Sequence, residues 1–241
     1  MSLELVINLV ASFLAFLIGW MARTLLSYYR STRPVARLWQ VNRHAPVTAV
    51  VGDHGEGRLL WEADALAAMN VRLSLARELK IHSIKTVRAS AFSMAAHAED
   101  NVVVIGGPAM NQVWNIYADR LDIPYEFKKV DDLYRIVARE GDESFGGTRG
   151  REGGVKQDSG LVIFAWNPFE PGNRLIMMAG CGELATLAAP STFSPEYARK
   201  IAQRFDMSKP LALVLSVEDV NDYVAKPKIA AWAYFPQPTV D

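Results

Sequence analysis

Strands that alternate with helices, two glycine-rich strand exits and an uncharged N-terminal run predict an α/β domain. Its expected form is a mixed, mainly parallel sheet with helices on both faces, preceded by one transmembrane helix. The chain has 241 residues, half of them hydrophobic, and about 205 remain beyond the apolar N-terminal run, enough for one domain of ordinary size. Lys plus Arg equal Asp plus Glu at 26 each, so no global field attracts a polyanion and nucleic acid is not an expected partner. Cys181 is the only cysteine, which excludes an internal disulfide and fits a reducing compartment.

LVINLVASFLAFLIGWMA, residues 5–22, carries no formal charge over 18 residues, and a helix of about 20 residues crosses a bilayer core. Leu25 and Leu26 extend the expected lipid contact to residues 5–26. A secretory signal places its positive charge before the apolar run, whereas here Glu4 precedes it and Arg23, Arg30, Arg33 and Arg37 come after it. The run therefore reads as an uncleaved single-pass anchor, and the positive-inside bias puts the C-terminal domain on the cytoplasmic side of an inner membrane. Ala11, Ala15 and Gly19 form a small-xxx-small ladder, the basis for expecting a homo-oligomer through this helix. Residues 1–30 are assigned to the anchor, 31–45 to a basic juxtamembrane linker interrupted at Pro34, and 46–241 to the cytoplasmic domain.

Within the domain, APVTAVVGD reads as a buried strand, and the next helix shows apolar residues at Leu66, Met69, Leu73, Ala76 and Leu79. IHSIKTVRA and NVVVIGG are strands, and NQVWNIYADRL is a helix with Val113, Ile116, Tyr117 and Leu121 on one side. After Pro124 the rhythm changes: YRIVARE, GLVIFAWNP and RLIMMAGCG succeed one another as hairpin-connected strands, which makes the sheet mixed. Between the first two lies a run with six glycines from Gly146 to Gly160, expected as a loop over 142–160 that is either a lid or disordered. SPEYARKIAQRF is a helix with Ser194 as N-cap, and LALVLSVED and IAAWAYF close the domain as strands.

The chemistry is expected at the strand exits. In VVVIGGPAMN, residues 102–111, Gly106 and Gly107 leave room for a ligand, Pro108 ends the ladder and Asn111 caps the next helix, whose free N–H groups suit an anion. A tight turn without a ligand uses the same geometry. LIMMAGCGELAT repeats the arrangement with Gly180, Gly182 and Ala185 in a G-x-G-x-x-A spacing, with Thr186 adding a hydroxyl that meets a phosphate or bonds back to the main chain. The acidic residue that a standard nicotinamide site needs about 20 positions later is absent. Arg149, Arg151 and Lys156 of the glycine-rich run are candidate phosphate clamps, and Asn167 in the NPF turn is a candidate contact. Asp53, at the exit of the first strand, and Glu183, inside the second glycine turn, are the acid-base candidates, with Asp64 opening the intervening helix; each also serves as a cap or a surface acid. The four histidines show no ligand spacing, so no metal is expected, and no Walker lysine, nucleophile elbow or kinase set is present.

The segments ADALAAMNVRLSLA, VVVIGGPAMN, SGLVIFAWNPF and MMAGCGELAT together resemble a sparsely characterised group of prokaryotic Rossmann-like domains, over roughly residues 46–190. In that group a GGP-x-x-N turn precedes an NPF turn and a glycine-rich strand exit. The resemblance implies a sensory or effector module of nucleotide-signalling or defence systems, with Gly106, Gly107, Asn111, Asn167, Gly180 and Thr186 at the matching positions. Glu183 and Leu184 depart from a more glycine-rich form of the last turn. Three functions remain open: a sensor or effector binding a nucleotide or other phosphorylated small molecule, a hydrolase or glycosyltransferase acting on nucleosides or NAD, and a membrane-tethered scaffold with a degenerate pocket.

Overall fold

The computed structural model describes residues 3–54, 59–149, 155–220 and 223–237. An apolar helix, α1 (Leu3–Ser27), does not end at a linker. One helical path runs from Glu4 to Trp39, with a most apolar stretch of mean hydropathy 2.2 that is wholly exposed, long and apolar enough to cross a membrane. Ala11, Ala15 and Gly19 are exposed on it, and nothing lies within 4 Å of where a Gly19 side chain would begin.

Where the sequence predicts a break at Pro34, the helix adapts. Residues Tyr28–Thr32 form a π-turn, in which the Arg33 N–H reaches back to the Tyr28 carbonyl, and α2 (Arg33–Trp39) continues with Pro34 inside its first turn. Proline has no N–H for the carbonyl four residues earlier, here that of Arg30, and the Arg199 guanidinium donates to that oxygen instead. Far from being a linker, α2 buries Pro34, Val35, Leu38 and Trp39, with the Trp39 ring stacked on Phe193 at 4.2 Å. Gln40, at φ 44°, ends the helix, and its side-chain amide donates to the Met207 carbonyl at 2.9 Å.

The strands in chain order are β1 (Val47–Val51), β2 (Asp53–His54), β3 (Leu59–Leu60), β4 (Ile84–Arg88), β5 (Asn101–Ile105), β6 (Tyr125–Val130) and β7 (Leu133–Ala138). They continue as β8 (Ser144–Gly146), β9 (Thr148–Arg149), β10 (Val155–Asn167), β11 (Glu170–Gly180), β12 (Leu211–Val220), β13 (Tyr223–Val224) and β14 (Lys228–Tyr234). The helices of the domain are α3 (Glu62–Leu79), α4 (Met94–His97), α5 (Gln112–Ala118), α6 (Glu183–Ala188) and α7 (Pro195–Arg204). The principal sheet runs β4-β1-β5-β11-β10-β12, with β14 and β13 on the outer side of β12 and β9 beside the start of β10. Pairs β4·β1, β1·β5 and β5·β11 are parallel, and β11·β10, β10·β12 and β12·β14 antiparallel. The sheet is therefore mixed, with three parallel pairs among the eight described rather than mainly parallel, because β10 and β11 close a hairpin directly.

One face of the sheet carries α2, α3 and α7 over Val103, Val162, Phe164, Ile176 and Leu213. The other carries α5 and a separate three-stranded sheet, β6-β7-β8, over Val104, Ile163, Leu175 and Met177. Strand β6 is absent from the sequence-level reading, and β7 joins it rather than the principal sheet. Within the loop expected over 142–160, Ser144–Gly146 and Thr148–Arg149 are the short strands β8 and β9 and residues 155–160 already belong to β10, while Arg151 lies outside the described residues. On α5, Trp114 takes the buried place expected for Ile116.

Helix α3 faces the core with Ala63, Ala67, Ala68, Val71, Leu75 and Leu79, the alanines lying in its first half. The apolar stripe Leu66, Met69 and Leu73 points outward instead.

If α2 belongs to the core, replacing Trp39 by alanine lowers the unfolding free energy of the whole chain by about 3–5 kcal/mol. Denaturant unfolding of the variant in detergent checks this; a change within about 0.5 kcal/mol restores the linker reading.

Candidate functional site

The order in which strands are added reverses between β1 and β5, since β4 lies on one side of β1 and β5 on the other. Such a reversal opens a crevice beyond the carboxyl ends of the strands. Here a cleft of about 300 Å³ is found at those ends. Its floor is made by Gly107 and Pro108 from the first glycine turn and by Gly180, Cys181 and Gly182 from the second. The two turns, separate in sequence, meet at one site because β5 and β11 are neighbours, with Ile105 paired to Met178. The wall comprises Trp61, which precedes α3, and Phe127 and Tyr134 from the hairpin β6·β7.

Asp64 lines this cleft from the first turn of α3 and is 5% exposed. Its Oδ2 is buried and has no hydrogen-bond partner among the described residues. Burial, with a smaller contribution from the Glu183 charge, pushes its carboxyl up from 3.8 to about 6. The carboxylate lies against the backbone where β1 and β5 end. A side chain on Gly52 would begin 2.6 Å from Oδ2, and one on Gly106, which sits at φ 95°, would collide with the same atom. Both glycines are thus required by Asp64, and Gly106 does so in place of a direct ligand contact. Gly107 has ordinary space, with Ala179 Cβ 3.5 Å from where its side chain would start.

Asn111, expected to contact a ligand, is fully buried and structural. Its Nδ2 donates to the carbonyls of Ile105 (2.8 Å) and Val50 (3.3 Å), and its Oδ1 accepts the Val113 N–H at 3.1 Å, capping α5. The second turn is likewise occupied from within. The Asp158 carboxylate accepts the N–H groups of Ala185 (2.8 Å), Gly182 (3.1 Å) and Ser159 (2.7 Å), so the anion expected at this helix start is a side chain of the chain itself. Burial pushes the Asp158 carboxyl up, against the pull of these three donors. Thr186 Oγ1 accepts the Gly180 N–H at 2.9 Å and donates to the Gly182 carbonyl at 3.0 Å, the back-bonding alternative. Gly180 has no room for a side chain, which would strike the Gly182 carbonyl.

Of the acid-base candidates, Glu183 is exposed on the rim of the cleft. Asp53 is not among the cleft's lining; its Oδ2 accepts from the Ser90 hydroxyl and, at 3.3 Å, from the Ser90 N–H, tying down the turn after β4. Asn167 lies at the opposite end of the sheet, where its Nδ2 donates to the carbonyls of Ala98 (2.8 Å) and Asp100 (2.9 Å) just before β5. Arg149 places its backbone in β9 beside Val155, its side chain lies outside the described part of the structure, and so does all of Arg151. Burial and the nearby Asp158 push the Cys181 thiol up to about 12, away from the thiolate form.

The described lining of the cleft therefore holds two carboxylates and no basic side chain. It can stack a planar group against aromatic rings and accept hydrogen bonds, and it opposes a phosphate on its floor. Asp64 becomes the central residue of the site only once β1 and β5 are placed side by side. Its sequence signal, an acid in the first turn after a strand exit, is shared by ordinary helix caps, and Phe127 carries no signal at all. Comparison with protein-family models, curated proteins and solved structures returns no match.

Folding takes up a proton on Asp64 between pH 3.8 and about 6, so stability falls as pH rises through that window and stays lower above it. Asp64→Asn, which keeps the shape without the charge, should raise the melting temperature at about pH 7.5 and lose that advantage near pH 4; equal effects at both values would place the titration elsewhere. Gly106→Ala, forced into a positive φ and against Asp64, is expected to destabilise the chain by more than about 1 kcal/mol in denaturant unfolding.

Proposed function

We propose that the chain is a membrane-anchored ligand-binding domain, Rossmann-like in its parallel half, whose cleft holds the base of a nucleoside or nucleotide. The observation that carries this reading is Asp64, a buried carboxyl without a described partner for Oδ2, facing a cleft walled by Trp61, Phe127 and Tyr134. A ring N–H or exocyclic amine supplies the donor that Asp64 lacks, while the ring itself suits the aromatic wall. Any phosphate of the ligand points away from the two carboxylates, towards the open mouth of the cleft. The arginines Arg23, Arg30, Arg33 and Arg37 after the apolar run support a cytoplasmic domain at an inner membrane, with the helix acting as a single-pass anchor. Ligand state passed to an anchored helix is the role of a sensor or effector.

A second reading is favoured by the same carboxyl. A group that titrates near 6 beside the Glu183 charge has the proton affinity that acid-base chemistry at neutral pH requires, which fits a nucleoside-processing hydrolase or transferase with Asp64 in place of Asp53.

The test is a thermal-shift and calorimetric titration of the full chain in detergent with the common nucleosides, their 5′-phosphates, cyclic nucleotides and NAD. At least one series sharing a base should bind, and Asp64→Ala should weaken it by at least about tenfold, the value of one lost charge-assisted hydrogen bond. Because the ionised carboxylate is the acceptor, affinity should fall as pH drops through about 6. Product appearing in the bound sample would favour the enzyme, and a cooperatively melting chain with no response to any compound would remove both readings.

A further inference from the structure

We propose that two copies of this chain pair through the outward face of α3, with the two helices antiparallel. Residues Glu62, Leu66, Met69, Leu73 and Arg77 recur at intervals of four, three, four and four, which places them along one line of the helix. Leu66 is 37%, Met69 51% and Leu73 58% exposed, an apolar stripe on a helix whose opposite side already fills the core. Beside it a groove of about 260 Å³ runs between Met69, Arg72, Leu73 and Ala76 of the helix and, on the other side, His82 just before the edge strand β4 and Ile84 at its start.

The charges at the two ends of the stripe choose the occupant. Glu62 lies at its amino end, and Arg77, with its side chain 86% exposed and leaning on Glu78 at 3.4 Å, lies at its carboxyl end. About a dyad midway between positions 69 and 70, Leu66 meets the partner's Leu73 and Glu62 meets the partner's Arg77. A parallel arrangement would instead set like charge on like charge. The surface is thus complementary to itself in one orientation, as a twofold interface requires. The stripe runs from residue 62 to residue 77, roughly 22 Å of helix, a small contact; confining both anchors to one bilayer raises the effective concentration that such a contact needs. The pairing also bears on the cleft, because Asp64 and the stripe belong to the same helix.

The experiment uses the full chain, in detergent micelles for light scattering and in lipid vesicles for chemical cross-linking, with circular dichroism to confirm that each variant is folded. Glu62→Arg alone and Arg77→Glu alone should each raise the dimer dissociation constant at least about tenfold, and the double exchange should bring it back to within about threefold of the parent. Leu73→Glu should give a folded monomer. The proposal is overturned if the single reversals change nothing or if the double exchange fails to restore pairing. It also fails if association survives Leu73→Glu and is lost only in Gly19→Leu, or if Leu73→Glu alters contact with vesicle lipid and leaves pairing intact.

Discussion

The Asp64 carboxyl, buried where β1 and β5 end, is the constraint around which the carboxyl edge of the sheet is arranged. An ionised oxygen removed from water without a partner is unfavourable by several kcal/mol, and the response visible here is a proton affinity raised to about 6. Accommodating it dictates the neighbouring backbone. Gly52 and Gly106 lack the Cβ that would meet it, and Asn111 ties the ends of the two strands together beneath it. Because Asp64 sits in the first turn of α3, the same contact fixes where that helix begins and hence which of its faces is left outside.

The apolar N-terminal helix is joined to this frame without a tether. A proline in a helix normally frees a carbonyl and bends the rod, but the π-turn before Pro34 and the guanidinium of Arg199 together absorb the defect. Beyond it, Trp39 stacks on Phe193, which itself lies against Phe164 of β10, so α2 is joined to the central sheet by packed aromatic rings. Packed interiors transmit displacement rather than absorbing it. Movement of α2 relative to the sheet therefore requires repacking of the core.

An anion site was the natural expectation for a glycine-rich strand exit opening a helix, and the physical logic behind it holds even though the ligand does not. The N–H groups of Gly182 and Ala185 do bind a carboxylate; it is Asp158, supplied by the neighbouring strand β10. What remains for an outside ligand is the space between the two turns, walled by aromatic rings and bordered by Asp64 and Glu183. Among the described residues, that lining offers acceptors to a hydrogen-bond donor or a cation and no basic side chain to a phosphate.

Strand alternation, the long apolar helix and the two glycine exits were all legible in the residues, because periodicity and backbone permissiveness are local properties. Local pattern failed where two solutions share one signal. Helix α3 is apolar on two faces, and the face with Leu66, Met69 and Leu73 lost to the one with Ala63, Ala67, Ala68, Val71, Leu75 and Leu79, which also carries Asp64 into the cleft. Asn111, Asn167 and Thr186 have the polar groups of ligand contacts, yet each is consumed by backbone partners brought from elsewhere in the chain or from its own turn. The sequence by itself determined that a helix-sheet domain comes after an apolar helix able to span a membrane. Tertiary structure alone decided that Asp64 rather than Asp53 lies in the cleft, that Asp158 fills the second turn, and that α2 is core. Each of those outcomes depends on which strands become neighbours, a long-range choice that no short stretch of residues encodes.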